Sequence, residues 1–145
     1  MKREVVSFTV PGTPVGKGRG RVIKLRGRSA IKTPEKTVAY EGLVAHSAHI
    51  ALDGRPMLQE ACSVAMLIVL PIPASWPKRK REDAMVGAVL PTTRPDADNV
   101  VKAIFDGCNG VLWRDDVQAV DLVVRKRYGA QPRVDVTVTH AGQGA

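Results

Sequence analysis

The sequence predicts a small α+β fold, a mixed sheet with helices packed on it, in a single domain over residues 1–145. Three observations point there. The apolar periodicities follow one another as strand, helix, strand, helix, helix, strand, strand, without regular βαβ alternation. At 145 residues the chain suits one core and can bury roughly 70% of its unfolded surface. The two cysteines, Cys62 and Cys108, have no C-x-x-C pair and no histidine nearby. This argues against a zinc site or disulfide framework and for small buried thiols in a reducing compartment.

Each element has its own signal. Glu4 to Val10 alternates loosely and is rich in Val, Phe and Thr, which suits a first strand ended by Pro11-Gly12-Thr13-Pro14. The stretch "VGKGRGRVIKLRGRSAIKTP" has glycines at 16, 18, 20 and 27 and no helical period, so residues 17–36 read as a mobile basic loop or a loosely paired hairpin. From Glu35 to about Leu52, Val38, Leu43, Val44, Ala48 and Leu52 mark an amphipathic helix between Thr33 or Pro34 and Asp53-Gly54. His46 and His49 fall on it without a third metal ligand, so they read as structural histidines. Ala61 to Leu70 reads as a strand covered on both faces. Ser75-Trp76-Pro77 opens a short basic helix ending near Gly87. Asn99 to Cys108 is the next helix, with Val100, Val101, Ile104 and Phe105 facing the core and Asn109-Gly110 closing it. Val117 to Tyr128 and Arg133 to His140 then read as a C-terminal hairpin around Gly129-Ala130-Gln131-Pro132.

The formal net charge is +8, and it is unevenly spread. Lys17, Arg19, Arg21, Lys24, Arg26, Arg28, Lys32 and Lys36 face a single acid, Glu35, in their segment. Lys78-Arg79-Lys80-Arg81 forms a second cluster, and Arg94 stands apart from both. Two such runs, with glycines that admit a close backbone approach, predict contacts to a nucleic-acid backbone. The N-terminus has no signal-peptide pattern, and the longest apolar run is about half of what a bilayer needs. A soluble, cytoplasmic protein is expected.

Against that basic background, "RPDADNVVKAIFDGCNGVLWRDDVQ" gathers five of the fourteen acidic residues. Asp96 and Asp98 lie just before the predicted helix, where extended backbone would project both to one side. Asp98 is also a good N-cap. Lys102 rises one turn later and Asp106 a turn beyond that. Asp115-Asp116 follow the Asn109-Gly110 turn, which can return one of them to the helix N-terminus. Three carboxylates within about 4–5 Å would repel by a few kcal/mol per pair at an effective dielectric near 20. A hard cation, Mg²⁺ or Mn²⁺, relieves this. Such an ion, held by aspartates, can activate a water for attack on phosphorus, while Lys102 orients the water or neutralises developing charge.

The D-x-D-N-x-x-K motif followed by D-D, within residues 94–120, resembles the signature of the RusA family of Holliday-junction resolvases, many of them carried by phages and prophages. The similarity extends less sharply over the first strand with "VPGTPVGKGRGR", the helix from Glu35 and the strand from Ala61. The resemblance implies a RusA-like fold and a Mg²⁺-dependent, homodimeric endodeoxyribonuclease that nicks opposed strands of a four-way junction in recombination and repair. It implies Asp96, Asp98 and Asp116 as metal ligands and catalytic residues, Lys102 as catalytic lysine, and lesser roles for Asp106 and Asp115. Members of the family often carry a dense basic run directly before D-x-D; here only Arg94 stands there, and the cluster lies at Lys78 to Arg81. A non-catalytic branched-DNA-binding protein of the same fold is the alternative. A metal-diphosphate transfer enzyme is a third reading, weakened by the lack of a phosphate-binding glycine loop between strand and helix.

Overall fold

A computed structural model of the chain describes residues 4–18, 21–32 and 34–142. Its elements are β1 (Glu4–Pro11), β2 (Arg21–Leu25), β3 (Arg28–Lys32), α1 (Glu35–Leu52), β4 (Cys62–Pro71), α2 (Lys78–Met85), α3 (Ala97–Cys108), β5 (Ala119–Gly129) and β6 (Arg133–His140), with a 3-10 turn at Asp116–Gln118 before β5. The α+β expectation holds. A four-stranded mixed sheet runs β1-β6-β4-β5, and β2 and β3 form a separate two-stranded sheet. Among the described residues no helix is long and apolar enough to cross a membrane.

The core lies on one face of the large sheet. Alternate residues of three strands supply it: Val6, Phe8 and Val10 from β1, Val134, Val136 and Val138 from β6, and Cys62, Val64, Met66, Ile68 and Leu70 from β4. Tyr40, Val44, Ala48 and Leu52 of α1 and Val100, Val101 and Ile104 of α3 cover them. The helix α1 stops where expected, at Asp53 and Gly54 in the left-handed region (φ 50° and 78°). Gly107 lets α3 press against it: an added Cβ would lie 2.7 Å from Val44 Cβ and 2.9 Å from the Glu41 carbonyl oxygen. Both cysteines are buried and free.

Three expectations change. The basic segment, open between loop and hairpin in sequence, pairs as a hairpin over residues 21–32. Its two-residue turn, Arg26 and Gly27, has positive φ at both positions (52° and 77°), the twist that two-residue hairpins need. The strand β4 is covered on its second face only in part: Ser63 and Val69 are buried there and Leu67 is half-buried, but Ala65 is exposed. Third, β5 and β6 do not pair with each other. The strand β4 lies between them, parallel to β5 and antiparallel to β6. Residues 130–132 step across the end of β4, and Gly129 permits the tight approach, because a Cβ there would sit 2.6 Å from Val69 Cγ1. In sequence such a step looks the same as a hairpin turn.

Candidate active site

The helix α3 is strongly amphipathic, and burial of Val100, Val101, Ala103, Ile104, Gly107 and Cys108 fixes its rotation on the core. It begins two residues earlier than expected. Asp96, in extended backbone (φ −68°, ψ 141°), occupies the N-cap position, and Asp98 lies inside the first turn. The two therefore do not share an extended segment, and Asp98 does not cap the helix. Nor does the Asp96 side chain make a cap hydrogen bond, although a carboxylate at that position ordinarily accepts one from the helix N–H groups. Among the described residues both carboxylates are exposed and neither has a hydrogen-bond or ion-pair partner.

Backbone contacts hold this helix start in place. Lys126 Nζ donates to the carbonyls of Thr93 (2.7 Å) and Pro95 (2.9 Å). The Lys17 N–H donates to the Asn99 carbonyl at 2.8 Å. Gly16 makes that docking possible, since a Cβ there would lie 3.2 Å from Asn99 Cβ and 3.3 Å from Pro95 Cβ. The Gly18 N–H donates to Thr37 Oγ1 at 3.0 Å. Glycines that the sequence suggested for approach to phosphate serve here to dock the loop onto α3 and α1.

Lys17, expected among the DNA-binding residues, turns inward. Its Nζ lies 2.9 Å from Glu41 Oε2 and 3.0 Å from Asp106 Oδ2. Asp106 in turn accepts a hydrogen bond from Lys102 Nζ at 3.0 Å. The row is therefore Glu41, Lys17, Asp106, Lys102, and Lys102 pairs with Asp106 one turn onward. Burial tends to lower the Lys17 pKa, but the bonds to Glu41 and Asp106 outweigh it and raise the value. Burial likewise pushes the Asp106 carboxyl up, and the bonds from Lys102 and Lys17 more than reverse that. The Lys102 pKa is raised by its hydrogen bond to Asp106, with a smaller contribution from the Asp116 charge. At neutral pH Lys102 is thus a cation, suited to neutralising developing negative charge and not to accepting a proton.

Asp116 is held from behind. The Trp113 indole N–H, in a residue only 1% exposed, donates to Asn109 Oδ1 at 2.8 Å, and Asn109 Nδ2 donates to Asp116 Oδ2 at 3.3 Å. Phe105 packs edge-on against Trp113 with ring centroids 5.4 Å apart. Asp115 caps the 3-10 turn in a reciprocal box with Gln118. Gln118 Nε2 also donates to the carbonyls of Leu58 and Glu60, tying the acidic loop to the approach to β4.

In chemistry, Asp96 and Asp98 fit a hard divalent cation: both present oxygen donors, open to solvent and unpartnered. In position the expected trio is less complete. Among the described residues no three His, Cys, Asp or Glu side chains stand together as a metal-holding group. Asp116 is engaged by Asn109, and Asp96 stands in extended backbone while Asp98 lies within the first helical turn.

Of the other basic candidates, Lys24, Arg26, Arg28, Lys78, Arg79, Lys80, Arg81 and Arg94 are all exposed. Arg19 and the Arg21 side chain lie outside the described residues. Within α2, Lys80 Nζ sits 3.9 Å from the Trp76 ring centroid and Arg81 Nε donates to the Trp76 carbonyl, so both are partly committed to Trp76. A cleft of about 620 Å³ lies between α2 and the ends of β4 and β5, lined by Ile72, Lys78, Arg81, Met85 and Pro132 among others, away from the aspartates.

Sequence reasoning missed Glu41, Asn109 and Lys126. Glu41 and Lys126 act across 24 and 31 or more positions of chain, where no local spacing signals them. Asn109 was visible only as a turn residue, although its position four before Trp113 matches the indole bond.

The chain matches the family described as Endodeoxyribonuclease RusA over residues 11–139. It is also 36% identical over 139 residues to YqaN, an uncharacterized protein of Bacillus subtilis (strain 168), covering 93% of this chain and 96% of that protein.

Proposed function

The chain belongs to the RusA family of endodeoxyribonucleases, and from that premise we propose that it is a Mg²⁺-dependent, homodimeric nuclease that resolves four-way DNA junctions by paired symmetrical nicks. One observation carries the catalytic reading. On a chain of net charge +8, two carboxylates at the start of α3 stand exposed and unpartnered, while neighbouring Asp106, Glu41 and Asp116 are all engaged.

Asp96, Asp98 and Asp116 are the residues that would hold the cation. When bound, the ion supplies Lewis-acid activation of water and of the phosphoryl oxygen. The chain's own groups do the rest. Lys102, kept charged by Asp106, neutralises charge developing on the phosphate oxygens. Asn109 orients Asp116, and Lys126 fixes the backbone in front of Asp96. The exposed hairpin bases and the α2 cluster attract the phosphodiester backbone to an acidic site that would otherwise repel it.

The test is cleavage of a synthetic four-way junction with Mg²⁺ present, beside Asp98→Asn. The expected outcome is symmetrical nicks from the parent chain, and loss of cutting by roughly 10²-fold or more in the variant with junction binding retained. Junction binding by the parent without any nicks would overturn the catalytic reading and leave a branched-DNA-binding protein.

A further inference from the structure

The two-stranded sheet of β2 and β3 stands apart from the rest of the fold. It shares no strand with the four-stranded sheet. Among the described residues no other strand or helix packs extensively on it, and no backbone hydrogen bond ties residues 21–32 to another element. Such a ribbon is marginal in water by itself and gains from a surface to lie on. Alternate pairs give it two unlike faces. On one, Val22 opposes Ile31 and Lys24 opposes Ser29, and all four are exposed, Val22 by 71% and Ile31 by 77%. On the other, Ile23 opposes Ala30, and both are half-buried. The segment 21–32 carries Arg21, Lys24, Arg26, Arg28 and Lys32 and no acid.

The root of the ribbon is fixed beside the acidic site. Lys17, shortly before β2, is held through its N–H by the carbonyl of Asn99, the residue after Asp98. The stretch from Lys17 to Arg21 reaches at most about 14 Å, and a strand of 5 residues adds about 17 Å. The far end of β2 therefore lies within about 31 Å of the start of α3, less than one turn of duplex DNA at about 34 Å.

We infer that this ribbon enters the major groove of the duplex arm beside the cut, with the face of Val22, Lys24, Ser29 and Ile31 on the base edges. This rests on the DNA-cleaving reading above and adds the groove and the residues that meet bases. The major groove, about 12 Å wide, admits a two-stranded ribbon, and the undistorted minor groove is about half that width. The thymine methyl is displayed only in the major groove and suits the Val22 and Ile31 side chains. Guanine O6 and N7, also displayed there, suit the Lys24 ammonium, and the Ser29 hydroxyl can donate or accept. Arg26 in the turn and Arg28 beside it, both exposed, are left for the phosphates of the groove walls. A solvated arm needs only its charges, whereas an apolar pair on its open face is stabilised when the groove floor covers it.

Dimethyl sulfate footprinting tests the groove, since the reagent methylates guanine N7 in the major groove and adenine N3 in the minor. The probe is a synthetic four-way junction with guanine and adenine throughout its arms, bound by the Asp98→Asn protein, which the reading above expects to bind without cutting. Guanine N7 should be protected within one duplex turn of the branch point, with adenine N3 left reactive over the same stretch. Val22→Thr together with Ile31→Thr keeps β-branched residues in the ribbon. The pair should weaken the protection and lower junction affinity roughly tenfold, at an unchanged salt slope because no charge is lost. Lys24→Gln, a single exposed change, should restore reactivity at the guanines it meets. Arg26→Gln should keep the protection and lower the salt slope by about one phosphate contact. Binding with guanine N7 open, or with adenine N3 protected instead, overturns the groove assignment alone, and so does unchanged junction affinity in the folded double variant. A parent chain that binds no junction overturns it together with the DNA-cleaving reading. The expected protection, alongside a parent that makes no nicks, sinks the nuclease reading and leaves the ribbon assignment standing.

Discussion

Replacing Lys17 by methionine removes the cation that separates two carboxylates under the active-site helix. Lys17 Nζ contacts Glu41 at 2.9 Å and Asp106 at 3.0 Å, and these side chains are only 25%, 20% and 20% exposed, respectively. The facing carboxylate oxygens can therefore be no more than about 6 Å apart, the two contacts laid end to end. At an effective dielectric near 20 their bare repulsion is roughly 3 kcal/mol. Partial exposure allows some relaxation, so a net loss of about 2–3 kcal/mol is expected, below the 3–5 typical of breaking a fully buried pair. For a chain of this size that lowers Tm by roughly 5–10 °C. Urea unfolding of Lys17→Met should show the loss as a lower midpoint at unchanged slope. Adding Glu41→Gln should recover most of it, because the repulsion then has one charged member. The contrary result is specific: unchanged stability, with the salt dependence of junction affinity reduced by about one phosphate contact. That would return Lys17 to the DNA-binding role its sequence context suggested.

Further outcomes follow from the same network and its neighbours. Asn109→Ala leaves the buried Trp113 indole N–H without an acceptor and frees Asp116, and should cost about 1–3 kcal/mol in thermal unfolding along with a fall in junction cleavage. Unchanged values in both would remove Asn109 from the site. The Asp106 carboxyl, pushed up by burial but held below its ordinary range by the bonds from Lys102 and Lys17, contributes stability that is fully present above its unfolded pKa of about 4. That stability is lost as pH falls through the depressed native value. The stability deficit of Asp106→Asn should therefore shrink between pH 7 and pH 3, and a deficit independent of pH would contradict the ion-pair account.

Much of the architecture can be read one segment at a time. Helical periodicity marks α1 and α3, and turn chemistry marks their ends, because both depend on residues three or four apart. Apolar alternation likewise marks β6, whose Val134, Val136 and Val138 all reach the core. The D-x-D-N-x-x-K motif with its trailing D-D is a short-range pattern, and it leads to the family directly. What segments cannot carry is the choice of neighbours. The partner of β5 is β4 and not β6, because the step over residues 130–132 looks like any tight turn until the sheet order is known. Inward and outward lysines also look alike in sequence. Lys17 sits in a basic run, yet α1 brings Glu41 and α3 brings Asp106 to its ammonium, and two nearby carboxylates in a half-buried setting hold a charge more firmly than solvent does. The same packing decides which aspartates remain open. Asp106 finds Lys17 on the loop after β1 as well as Lys102 on its own helix, Asp116 finds Asn109 at the end of α3, and Asp96 and Asp98, at the exposed start of α3, find no such partner. Residue chemistry and local spacing thus name the acidic motif and the basic run, and long-range packing, which brings charges together across tens of positions of chain, assigns each of them to structure or to the site.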